Sequence, residues 1–269
     1  MKTRLIIVEG LPCSGKSTTS KNIAKYLSSL DIENTLYEEG DLNHPADYEY
    51  HSYITKTVFE DLTRGLKSKV EKESIKVLDG YVFPLNKAEG EEKEILVKYK
   101  IYDSLPWKIE KDVMLDKWER FYKNCKKDKI HIFECCMIQN PMCETMMRFD
   151  FNTDKSEKFI KSILNRVSGL NPLLIYLKID NVEKRVRNIS SKRHKEWLEF
   201  VISYHENGKF ARKRNLEGFM GYIECLKNRQ ERELEIVNNL DINKKIIENP
   251  FSDWDKTIKE IENTVELYL

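Results

Sequence analysis

Gly10, Gly15, Lys16 and Ser17 stand in the spacing Gly-x-x-x-x-Gly-Lys-Ser, inside Glu9-Gly-Leu-Pro-Cys-Ser-Gly-Lys-Ser-Thr18. Each residue type answers one requirement of holding a polyphosphate. Glycine lets the backbone take positive φ and brings its amides close to phosphate oxygens. A nest of such N–H groups binds anions, and a helix starting at the same point adds its positive dipole end. A lysine in this position reaches the β and γ phosphates, and the hydroxyl that follows it ligates magnesium. Cys13, Ser14 and Thr18 complete the loop expected to wrap the phosphates. The expected ligands are therefore ATP, or another nucleoside triphosphate, and magnesium.

The loop works only between a strand and a helix, and the flanks supply both. Arg4-Leu-Ile-Ile-Val8 is a β-branched run that reads as a buried strand. Ile23, Ala24, Tyr26, Leu27 and Leu30 recur at helical spacing after the loop. Further strand patterns follow at residues 34–38, 129–134, 171–178 and 244–248, with a last helix over 253–267. Short strands alternating with helices imply a parallel sheet covered on both faces. The expected fold is α/β, a three-layer sandwich whose five-stranded parallel sheet carries the loop after its first strand. A single domain over 1–269 is expected, with a mostly helical insertion at 51–128 and a lid with a mobile loop at 180–221. Pro45 reads as the first position of a helix running through Tyr53 and Phe59 towards Lys72. Residues 75–78 read as an extra strand or one arm of a hairpin.

In an open parallel sheet, ligands bind outside the carboxyl ends of the strands. Two acidic strand ends point there. Glu38, Glu39 and Asp41 end the second strand, and Glu134 ends the apolar run 130–133. Strand alternation puts only some of the first group on the open face. Asp41 and Asn43 would serve equally as caps for the coming helix. Glu134 stands where a carboxylate would hold magnesium. His44, Asp47 and Tyr48 follow the first group, and Gln139 and Asn140 follow the second. These types suit recognition of a polar small molecule.

With its phosphate loop, two acidic strand ends, arginine-bearing segment after strand four and short fifth strand, the chain resembles the P-loop kinase group that includes thymidylate and deoxynucleoside kinases. The resemblance covers about two-thirds of the chain and does not name a substrate. It implies that Glu39 or Asp41 is the base that takes the acceptor hydroxyl's proton. It also places Arg185, Arg187 and Arg193 where such kinases carry lid arginines; Arg185 and Arg193 are expected to close on the phosphates. A second basic run, Lys209 to Arg214, lies among Gly208, Gly218 and Gly221, as a mobile loop would.

Composition narrows the rest. The chain has 46 Lys and Arg against 45 Asp and Glu, so no global field draws it to nucleic acid or a membrane surface. No apolar run is long enough to span a bilayer. Six cysteines without metal-type spacing fit reduced thiols in the cytoplasm. A guanine-reading Asn-Lys-x-Asp and an ABC-type Leu-Ser-Gly-Gly are both absent. The expected function is transfer of the γ-phosphoryl of ATP to a small hydroxyl or phosphate acceptor, with a homodimer among the expected states. The rival readings are a polynucleotide-end kinase, an antibiotic-modifying phosphotransferase, and a non-catalytic nucleotide-dependent switch or scaffold.

Overall fold

The computed structural model describes residues 2–269. The chain divides into two compact units: one formed by the residues up to Glu39 together with Lys126–Leu269, the other by Gly40–Cys125.

The first unit begins with β1 (Leu5–Gly10), every residue of which is buried. The phosphate-loop residues lead into α1 (Lys16–Ser29), which packs Ile23 and Leu27 on the sheet. β2 (Asn34–Tyr37) then returns as a half-buried edge strand.

In the second unit, β3 (His51–Ile54), β4 (Ile75–Val77) and β5 (Gly80–Pro84) form an antiparallel sheet in the order β3-β5-β4. The helix read over 45–72 is thereby corrected. His51–Ile54 is extended because it pairs with Pro84 through Tyr81. Only after it do α2 (Lys56–Asp61) and α3 (Arg64–Glu73) form, each started by a threonine whose hydroxyl accepts a backbone N–H. The stretch after residue 74 is a hairpin, whose turn is tied by the Tyr53 hydroxyl donating to Asp79 (2.8 Å). α4 (Gly90–Val97), a kinked segment α5 (Ile101–Ser104) whose Tyr102 and Asp103 leave helical geometry, and α6 (Trp107–Asn124) complete the unit, with Trp118 fully buried.

The first unit resumes with β6 (Ile130–Glu134), α7 (Gln139–Met142), a π-helical turn at Cys143–Arg148 and α8 (Thr153–Val167). β7 (Leu173–Lys178) follows, then α9 (Val182–Ser190), α10 (Lys195–Glu206), α11 (Lys209–Arg214), α12 (Gly218–Asn239), β8 (Asn243–Glu248) and α13 (Trp254–Glu266). Lys209 to Arg214 is thus helical, not a loop.

The five strands are all parallel, in the order β2-β6-β1-β7-β8. Ile6, Val8, Ile132, Ile175 and Leu177 build the core under α1 and α13. The chain leaves β1 towards β2 on one side and later crosses to β7 on the other. Strand order therefore reverses beside β1, which opens the binding crevice at that strand's carboxyl end. The register pairs Val8 with Glu134, so the acid ending β6 lies level with the start of the phosphate loop.

Candidate active site

Gly10 ends β1 at φ 141, where an added Cβ would lie 2.6 Å from the Leu177 carbonyl oxygen. Backbone conformation and space both demand glycine there. Gly15 caps α1 at φ 94. Between them Cys13 takes φ 70, uncommon for a residue with a side chain and typical of strained functional loops. Lys16 is 4% exposed and donates from Nζ to the Leu11 carbonyl (2.9 Å). Burial works against its charge, but the neighbouring Cys135, Glu39, Glu134 and Glu9 together outweigh burial and hold the ammonium on.

Ser17 Oγ donates to Glu134 Oε1 at 2.6 Å. Glu134 is 2% exposed, and its other oxygen, Oε2, is buried without a hydrogen-bond partner. Burial pushes its carboxyl upward, opposed by the Ser17 bond and the Lys16 charge. A hydroxyl and a carboxylate with an orphaned oxygen suit a hard divalent cation, so both residues expected to hold magnesium are together and fit it.

Residues 12, 13 and 15–18 of the loop line a pocket of about 360 Å³ with Glu39, Glu134, Gln139, Arg185 and Arg193. Ile189, Trp197 and Val201 form its apolar side. Arg185 donates from Nε to the Cys13 carbonyl (2.9 Å) and packs over the Phe251 ring, which stacks on Trp254. Arg193 lies over the ring of Trp197 at 4.3 Å. Both expected lid arginines therefore face the loop. Arg187 pairs instead with Glu183 at the surface (2.9 Å).

Glu39 has both oxygens engaged: Oε1 accepts from Gln139 Nε2 (2.8 Å) and Oε2 from the Cys135 thiol (3.3 Å). Gln139 is itself set by the turn that bears it. Glu9 accepts the backbone N–H groups of Met137 (2.8 Å), Ile138 (2.9 Å) and Gln139 (3.0 Å). Burial pushes the Glu9 carboxyl up to about 7, against the lowering effect of those three bonds. Asn140 stays out of the pocket lining, and its backbone N–H closes the turn on the Cys135 carbonyl (3.1 Å).

Asp41, His44, Asp47 and Tyr48 belong to the second unit. Asp41 Oδ1 accepts from the Asn43 backbone N–H (2.8 Å), the work of a turn former. His44 Nδ1 accepts from Ala46 N (3.1 Å), and burial lowers its pKa to about 4. Asp47 accepts the Tyr102 hydroxyl, and Lys117 lies over the Tyr48 ring at 4.2 Å. No helix starts at Pro45, so the capping role read for Asp41 and Asn43 is replaced by a turn.

The loop sits between a buried strand and a helix, with its lysine and hydroxyl turned to an acid on the neighbouring strand. The fold is that of a P-loop protein. A family model described as chromatin associated protein KTI12 matches residues 3–84, the part that contains the loop. No curated protein matches the chain. Three nucleotide-related solved structures are similar in outline. YorR of Bacillus subtilis, solved in complex with phosphorylated GDP, is 13% identical, with 98% of this chain and 96% of that one covered and a TM-score of 0.45. Thymidylate kinase of Candida albicans is 14% identical, with 99% and 92% covered and a TM-score of 0.49. Deoxyadenosine kinase of M. mycoides is 18% identical, with 98% and 99% covered and a TM-score of 0.46. Likeness this loose assigns no substrate.

Sequence reasoning missed Glu9, Cys135 and Trp197. Glu9 had a signal: it is the one charged residue in a strand otherwise apolar from Leu5 to Val8. The other two had none, because their roles depend on partners set by the fold.

Proposed function

We propose that this chain is an ATP- and magnesium-dependent phosphotransferase acting on a small polar acceptor such as a nucleoside, a nucleotide or a similar metabolite. One observation carries the reading: the phosphate loop and an oriented carboxylate, Glu39, line the same pocket. A protein that only sensed nucleotide would need the loop alone.

The loop amides and Lys16 hold the β and γ phosphates, and Ser17 and Glu134 hold magnesium. Magnesium, when bound, neutralises phosphate charge that would repel an incoming oxygen. Glu39 accepts the proton of the acceptor hydroxyl as that oxygen bonds to the γ phosphorus. The bond from phosphorus to the bridging oxygen breaks, and ADP leaves with its electron pair. Glu39 is preferred to Asp41 because it lines this pocket, with its orientation fixed by Gln139. Arg185 and Arg193 complement charge spread over the transferring group. No helix among the described residues is long and apolar enough to cross a membrane, and free cysteines suit a cytoplasmic enzyme.

The test is magnesium-dependent ATP consumption by the purified protein, screened against nucleosides, nucleotides, sugars and aminoglycosides with Lys16→Ala as control. One acceptor class raising turnover, with the variant inactive, supports the reading. ATP binding with no acceptor consumed overturns it.

A further inference from the structure

Cys135 directly follows Glu134 at the end of β6, and neighbouring residues of a strand normally point to opposite faces. Here they do not. Cys135 takes φ 68, which breaks the alternation. Its sulfur and carboxylate oxygens of Glu134 and Glu39 lie within 4.8 Å of one another. A thiol is a weak donor, and a serine would serve better if the contact with Glu39 were the whole purpose. A second, independent feature points to a ligand: Glu134 is 2% exposed, yet its Oε2 has no hydrogen-bond partner.

The geometry points to a thiophilic divalent-cation site formed by Cys135, Glu39 and Glu134, taking zinc or cadmium where the Ser17–Glu134 pair alone would take magnesium. One sulfur and two carboxylates form a mixed donor set that borderline and soft metals favour. Ligands around one tetrahedral ion stand roughly 3.6 Å apart; the Cys135 sulfur already lies 3.3 Å from Glu39 Oε2, so closure requires a contraction of at most about 1 Å. Glu39 is exposed and makes that movement by giving up its Gln139 bond, while Glu134 and Cys135 are buried. On binding, the sulfur–hydrogen bond breaks, a metal–sulfur bond forms and the proton goes to solvent. Three anionic ligands then face the ion, with the Lys16 ammonium as a fourth charge beside them. The site takes up both carboxylates used by the proposed transfer, so its occupation withdraws them from that chemistry. This consequence rests on the reading above; the site itself does not.

The experiment is a cadmium titration of the nucleotide-free full chain, kept reduced with a phosphine, following the thiolate-to-cadmium charge-transfer absorption. Cys135→Ser and Glu39→Gln are titrated beside it. The expected result is one thiolate fewer per chain for Cys135→Ser, and an affinity weakened about tenfold or more for Glu39→Gln. An unchanged absorption in Cys135→Ser, with the signal coming from the other five cysteines, overturns the site. An unchanged affinity in Glu39→Gln overturns it as well. That variant alters an exposed side chain, so it decides the matter even if Cys135→Ser fails to fold. Since no turnover is measured, failure here is distinct from failure of the phosphotransferase reading.

Discussion

Ser17 and Glu134, 117 residues apart in sequence, meet through a 2.6 Å hydrogen bond at the mouth of the phosphate loop. The contact joins the first turn of α1 to the end of β6. It also leaves the second oxygen of Glu134 without a donor. An amide at position 134 would keep the shape and lose the charge. Glu134→Gln is therefore expected to weaken ATP binding about tenfold or more in magnesium, the worth of one charge-assisted contact. With magnesium chelated, the affinities of the two proteins should converge. Calorimetric titration under both conditions checks this; an equal loss in both would mean that Glu134 does not act through the metal.

Gln139 holds Glu39 by a single 2.8 Å bond. A carboxylate accepts but cannot donate, so the amide nitrogen must face Glu39. Gln139→Ala removes the bond and leaves the phosphate loop intact. Turnover with the identified acceptor should fall about tenfold, as expected when a general base loses its orientation. The ATP dissociation constant should stay within about twofold. A variant that loses ATP affinity and keeps its turnover would contradict the positioning role.

Glu9 gives a pH dependence of definite sign. Its carboxyl sits at about 7 in the fold against a reference of 4.5. The folded chain therefore holds this proton more tightly than the unfolded chain. The group's contribution to stability is complete below pH 4.5 and is lost as pH rises towards about 7. Between those limits the stability of the natural protein relative to Glu9→Gln should fall by roughly 3 kcal/mol and then level off. Urea unfolding of both proteins across this range measures the difference. A difference independent of pH would show that Glu9 titrates normally.

Arg229 and Glu233 form an ion pair at 3.0 Å inside the first unit, both side chains at most 1% exposed. Arg229 also donates to the Cys143 sulfur (3.1 Å), and Glu233 accepts the Tyr176 hydroxyl (2.6 Å). Together these contacts tie α12 to β7 and to the π-helical turn. Removing one partner strands the other charge, so Arg229→Ala should cost roughly 3–5 kcal/mol. Replacing both, as Arg229→Met with Glu233→Leu, should recover most of that. Denaturant midpoints decide; a single variant within about 1 kcal/mol of the natural protein would refute the coupling.

The sheet was legible because its signals are local. The run at residues 5–8, the Gly-Lys-Ser triplet and the apolar stretch 173–177 each declare themselves within a few residues. The strand at His51–Ile54 was not legible, because only pairing with Tyr81 to Pro84 makes it extended. The choice between Glu39 and Asp41 likewise stayed open in the sequence. Alternation along a four-residue strand says little once the chain turns at Gly40, and what separates the two acids is Gln139, 100 residues away. Nothing in the sequence marks Trp197, which joins the site only because α10 brings it to the pocket.

The most direct measurement follows the γ-phosphoryl group itself. With γ-labelled ATP, magnesium and the acceptor found by screening, the natural protein should move the label onto the acceptor. Glu39→Gln should bind ATP with near-natural affinity and transfer label at least about a hundredfold more slowly, the usual worth of a general base. Label transfer by Glu39→Gln at the natural rate, or label released only to water by the natural protein whatever acceptor is offered, would contradict a phosphotransferase built on the loop and Glu39.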